Sequence, residues 1–164
     1  MKKNNHNIVL LVDTETLKAD CNESNLDMND YCQFAGQDPS QNLELFTTEV
    51  EKNDTLFWIG LSTSSENDIV EIDDITRQSG AHLIEGPGGS GKPSKKGNGR
   101  IGKIKNNAKK NKWEKYDLKF KINSDPESCT RVFTIDPIIN IHKKELAIGL
   151  EVVFNTCINI LSRN

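Results

Sequence analysis

Residues 116–122 alternate without a break: Tyr116, Leu118, Phe120 and Ile122 stand at even positions, Asp117, Lys119 and Lys121 at odd ones. Successive side chains of a β-strand project to opposite faces, so this spacing predicts a strand with one buried and one solvated face. Such a strand needs paired neighbours and a second layer to cover its apolar side. The chain offers candidates. Residues 8–12 are a continuous apolar run rich in β-branched side chains. Residues 43–50 and 55–61 read as two strands joined by a hairpin turn at 51–54. In 69–75, Val70 and Ile72 face opposite to Ile69, Glu71 and Asp73. Residues 132–135 and 138–142 read as strand on either side of Pro137, which suits an edge or a bulge.

Between these runs the chain is polar. Residues 18–41 read as a long loop, and 62–68 (STSSEND) and 124–127 as turns. There is no internal repeat of 20–50 residues. Short strands, frequent turn signals and no long helical pattern predict an all-β fold, an antiparallel, jelly-roll-like β-sandwich. One domain is expected over 1–164, with a core at about 7–142, a flexible Gly/Lys-rich basic insertion at about 86–112 and a C-terminal extension at 143–164. In that extension Leu146, Ile148, Leu150, Val152, Phe154, Ile158 and Ile160 alternate like a strand, while Glu151, Asn155 and Asn159 make a helical stripe. Both readings stay open.

Composition narrows the function classes. Hydrophobic residues are 35% of the chain, about 42% with the 11 glycines added, a lean but sufficient core for one domain. No run of 18 apolar residues is present, so no membrane partner is expected. The Lys pair at the N-terminus is followed by only five apolar residues and Asp13, which reads as a first strand and not a secretion signal. A cytoplasmic location with free thiols is the expectation for Cys21, Cys32, Cys129 and Cys157, none of which forms a CxxC motif. Whether Cys21 and Cys32 pair is not readable from loop residues.

The net charge of −3 is unevenly spread: residues 92–115 carry +9 and the remainder −12. An acidic body with one basic strip favours head-to-tail contact between copies, and equally describes a solvated loop. The strip includes Trp113 and is followed by Tyr116, and basic groups with aromatics occur in single-strand binders. A pI near 5.7 argues against a nucleic-acid partner.

Candidate chemistry is sparse. Residues 86–93 (GPGGSGKP) match a phosphate-binding loop except at the last position, where Pro93 replaces the magnesium-binding hydroxyl. No helix-forming sequence follows to hold the phosphates. His6, His82 and His142 are isolated, and no nucleophile with its base can be named. The acidic residues at strand ends are more suggestive: Asp13, Asp73, Asp74 and Asp136 form a candidate calcium site if the fold brings them together.

The ordered pieces resemble the PixA/AidA-type bacterial inclusion-body proteins. The opening 8–16 (IVLLVDTET), then 53–58 (NDTLFW) with Asn53 in place of a family Gly, 68–72 (DIVEI), 116–120 (YDLKF) and 133–141 (FTIDPIINI) follow the family's order. Asp13, Trp58, Asp136 and Pro137 are the matching positions. The insertion 86–112 and the tail 143–164 depart from the pattern. The resemblance implies a β-sandwich, accumulation in the cytoplasm and no established enzymatic activity, and it transfers no catalytic residue. The expected function is that of a non-enzymatic protein that self-associates into homo-oligomers. The alternative is a calcium- or glycan-binding, lectin-like module for a small ligand, working through the four aspartates. No cofactor is expected apart from that calcium.

Overall fold

Two β-sheets face each other across the buried rows of the strands named above. The computed structural model describes residues 3–85, 92–93, 99–124 and 129–141. The extension 143–164, the turn at 125–127, His142, Cys157 and most of the phosphate-loop-like segment lie outside the described residues.

The chain opens with β1 (Asn5–Val12), a short helix α1 (Thr14–Ala19) and β2 (Cys32–Phe34), then β3 (Thr47–Val50), β4 (Thr55–Ser62) and β5 (Ile69–Gly80). It continues with β6 (Lys92–Pro93), β7 (Arg100–Lys103), β8 (Trp113–Asn123), β9 (Phe133–Ile135) and β10 (Ile138–Ile141). Sheet I has the order β2-β1-β4-β7-β6. Sheet II has the order β3-β10-β8-β5, with β9 also paired to β8.

The expected sandwich is present, but not as an all-antiparallel, jelly-roll-like fold. β1 and β4 are parallel along eight residue pairs, and β10 is parallel to β3. Alternation marks a strand and its buried face but carries no strand direction. A parallel pair only needs a connection long enough to cross over, and residues 13–54 supply one. The hairpin expected at 51–54 is also corrected. The turn exists, with the Asp54 amide donating to the Glu51 carbonyl at 3.3 Å, yet β3 and β4 lie in different sheets. Residues 43–45, expected as strand, form a 3-10 turn capped by Asn42.

Two further expectations change. The polar stretch 18–41 contains the end of α1 and β2, too short and too mixed to show a period. Part of the basic insertion is strand: β6 pairs with β7, β7 pairs with β4, and Ile104 is fully buried. Gly102 lies there for a steric reason: a Cβ would stand 2.7 Å from Cη2 and Cζ3 of Trp58.

Tyr116, Leu118, Phe120 and Ile122 of β8 are buried, as their alternation predicts. They meet Leu56 and Trp58 of β4 and Ile8, Leu10 and Val12 of β1 in one core. The Trp58 indole N–H donates to the Tyr116 hydroxyl at 2.9 Å, and the two rings meet edge to face at 5.8 Å. The hydrogen bond makes burial of both polar tips tolerable. In β5 the register slips between Ile72 and Asp74. That extra residue turns Ile75 inward after Val70 and Ile72, and the strand continues to Gly80. Pro137 separates β9 from β10. It has no N–H to donate, but its carbonyl accepts from the Tyr116 amide at 3.2 Å.

Candidate functional site

The four aspartates are not brought together. Asp13 ends β1 and caps α1, accepting from the Thr16 amide at 3.2 Å and the Thr16 hydroxyl at 2.8 Å. These bonds hold its carboxyl below the usual range. The string Asp-Thr-Glu-Thr was therefore a helix start, a signal legible in the sequence as a capping residue. Asp73 stands 4.0 Å from the Lys121 ammonium, and Asp74 accepts from the Thr76 hydroxyl at 2.7 Å. Asp136, between β9 and β10, pairs with Lys115. Among the described residues no group of three or more His, Cys, Asp or Glu side chains could hold a metal ion. The candidate calcium set is not assembled by this fold: Asp13 follows β1 of sheet I, Asp73 and Asp74 lie within β5 and not at its end, and Asp136 lies between β9 and β10 of sheet II.

The basic strip is likewise partly spent within the chain. Lys103 pairs with Glu85 at 3.0 Å, Lys115 with Glu44 at 3.5 Å, and Arg100 donates to the Ile72 carbonyl at 3.2 Å. Lys109, Lys110 and Lys112 remain exposed.

Two fully buried carboxylates escaped the sequence reading as separate features. Asp54 is fully buried and accepts from the Asn4 amide at 3.0 Å, the Glu51 amide at 2.8 Å and His6 Nε2 at 2.8 Å. Burial alone would raise its pKa. The Glu51 and Asn4 amides and His6 outweigh that and hold it below the ordinary value. The preceding Asn53 has φ of +67°, a left-handed conformation. Asn tolerates that region, which explains how it can stand where the resemblance expects Gly.

Glu114, at the start of β8, is also fully buried, and its Oε2 accepts from the amides of Leu83 and Ile84. Desolvation raises its pKa against the pull of those amides and of Arg77 and Lys105. A carboxyl with a raised folded-state pKa costs stability as pH climbs from the unfolded value through the folded one. Glu114→Gln keeps an acceptor and removes the ionisation. Relative to wild type, the variant should therefore be more stable at neutral pH than it is below the carboxyl range. Urea melts at the two pH values test this; a difference independent of pH would refute the ionisation account.

A groove of about 550 Å³ runs between residues 24–29, 42–44 and 131–136. Its polar side chains mostly tie its own walls together. Asn29 accepts from the Leu43 amide, Asn42 from the Glu44 amide, and Arg131 donates to the carbonyls of Cys21 and Glu23.

The outer face of sheet I is different. β1 and β4 run parallel and in register, so both turn their odd residues outward. Val9 lies beside Ile59, Leu11 beside Leu61, and Phe57 beside Ile101 of β7. Ile59 is 36% and Leu61 50% exposed. The result is a contiguous apolar patch on a hydrogen-bonded sheet. Parallel strands normally have both faces covered, and a continuous apolar run such as 8–12 is the sequence pattern of such a strand. Exposed patches of this kind mark sites of association.

The sequence model of a domain of unknown function, DUF8788, matches residues 4–128. No curated protein matches the chain. Among solved structures, the inclusion body protein (PixA) from Burkholderia cenocepacia J2315 is similar at a TM-score of 0.56 and 14% identity. The match covers 87% of this chain and 97% of that one. The likeness is one of fold, and it agrees with the resemblance carried by the strand motifs.

Proposed function

We propose that this chain, which belongs to the DUF8788 family, is a non-enzymatic cytoplasmic protein that self-associates through the outer face of sheet I. The observation that carries the reading is the patch of Val9, Leu11, Phe57, Ile59, Leu61 and Ile101 on adjacent strands. An apolar sheet face can be self-complementary about a two-fold axis, and covering it with a second copy removes it from water. The fold shared with an inclusion body protein supports the same direction. The buried carboxylates support it too, since Asp54 and Glu114 bind backbone amides and hold the fold instead of facing a substrate.

The test is the molar mass in solution across a concentration series. The double variant Ile59→Lys, Leu61→Lys places two charges on exposed positions, where the fold itself is little disturbed. Association should weaken about tenfold or more, with an unchanged circular dichroism spectrum. Contact through this face should also survive added salt, whereas head-to-tail attraction between basic strip and acidic body would be screened. A wild-type chain that stays monomeric, or an oligomer indifferent to both substitutions, overturns the proposal.

A further inference from the structure

We propose that this chain makes a head-to-tail contact with a second copy of itself, in which the lysine loop at 105–112 of one copy docks on the acidic surface around β2 of the next. The contact is additional to the one through sheet I, and it rests on that reading only in taking another copy as the partner. Residues 19–51 hold eight acidic side chains and no Lys or Arg. Of these, Glu23, Asp27, Asp30 and Asp38 are exposed and flank β2, an edge strand of sheet I. Two of them are fixed in place by local hydrogen bonds. Asp27 accepts from the Asn29 amide at 3.0 Å and from its side-chain amide at 2.7 Å. Asp38 accepts from the Ser40 amide at 2.9 Å and hydroxyl at 2.8 Å.

The lysine loop leaves β7, three strands away from β2 in the order of sheet I. It is pinned at both ends. The Lys105 amide donates to the Leu83 carbonyl at 2.8 Å, the Asn111 amide to the Ile141 carbonyl at 3.1 Å, and the Ile141 amide to the Lys112 carbonyl at 2.8 Å. Ala108 is buried within the loop, while Lys109, Lys110 and Lys112 are exposed. Among the described residues, neither these three lysines nor the four carboxylates around β2 enter an ion pair. Opposite charges thus stand at separate, fixed places on one chain and do not neutralise each other there. A basic surface on one copy and an acidic surface on another attract and orient each other. The two surfaces are different patches, so the contact is heterologous: one of each stays free at the ends, and further copies can add. Trp113 stands beside Lys112, 49% exposed and packed on Gly80, as an apolar anchor of the kind found at interface centres.

The experiment compares the full-length wild type with the double variant Ile59→Lys, Leu61→Lys, whose sheet I face is blocked. Molar mass is measured across a concentration series at about 20 mM and about 500 mM salt, where the screening length falls from about 20 Å to about 4 Å. The expected result is association of the double variant at low salt, weakened about tenfold or more at high salt. Adding Lys109→Glu, Lys110→Glu and Lys112→Glu to it should abolish the low-salt association, and so, separately, should adding Glu23→Lys and Asp30→Lys. All five positions are exposed, and circular dichroism checks the fold. Mixed one to one, the two charge-reversed proteins should pair again, through the acidic surface that one keeps and the lysine loop that the other keeps. Misfolding cannot produce such a rescue. The sheet I reading fails separately: a wild type that is monomeric at high salt and associates at low salt leaves this contact standing. A double variant that stays monomeric at low salt, association indifferent to the lysine reversals, or a mixture that does not pair overturns the proposal. Binding of single-stranded DNA by the lysine loop without low-salt association overturns it too.

Discussion

Asp54→Ala lowers the unfolding free energy by about 3 kcal/mol, an effect we expect from one turn residue because it ties together three segments. The carboxylate accepts from the Asn4 amide ahead of β1, the Glu51 amide after β3 and the His6 ring within β1. Removing it leaves two amides without their acceptor and weakens the alignment of the parallel pair β1 and β4 at its start. Asp54→Asn keeps one acceptor oxygen and should cost about half as much. The pH dependence has a definite sign. The folded-state pKa of Asp54 lies below its ordinary value. Its contribution is therefore fully present above the unfolded pKa and is lost as pH falls through the folded one. Wild type should lose stability on acidification more steeply than Asp54→Ala. Urea unfolding at neutral and acid pH measures both quantities, and an Asp54→Ala variant as stable as wild type would sink the assignment.

Trp58→Ala costs about 4 kcal/mol, the range for removing a large aromatic from a packed core. Trp58 is fully buried, lies over Gly102 and donates to Tyr116. The substitution therefore opens a cavity and strips the Tyr116 hydroxyl of its donor at once. Gly102 makes the assignment sharper. Its missing Cβ is the space the Trp58 ring fills, so Gly102→Ala in the wild-type background should cost about 2 kcal/mol through overpacking. In the Trp58→Ala background the same change meets a cavity and should cost much less. A double-mutant cycle reads this coupling directly. Strict additivity would show that the ring does not exclude the side chain at 102.

Much of the fold was legible residue by residue. The alternation in 116–122, the inward Val70 and Ile72, and the break at Pro137 all describe local properties of a strand, and all appear in the structure. Trp58 and Tyr116 belong to the strand motifs that carry the resemblance, and they meet in the core. The candidate site was legible only in fragments. The apolar run 8–12 was visible, but its significance depends on β4 lying beside it in parallel register, so that Val9 and Leu11 meet Ile59 and Leu61. Asp13 carried a capping signal that competed with a metal-ligand reading, and the nearer Thr16 took its oxygens. The strip at 92–115 looked uniformly solvated because charge and glycine dominate its composition, yet Gly102 and Ile104 belong to the interior.

The boundary between the two kinds of knowledge is physical. Period, turn chemistry and capping act over a few residues, so which residues become strands and which face they bury is written locally. Pairing direction, sheet order and the meeting of distant side chains are set by contacts across long loops, with energies no window of sequence contains. The parallel β1–β4 pair, the carboxylate of Asp54 between two strands and the open apolar face of sheet I all belong to that second class. Each exists because the close packing of two sheets selects one global arrangement from many that share the same local pattern.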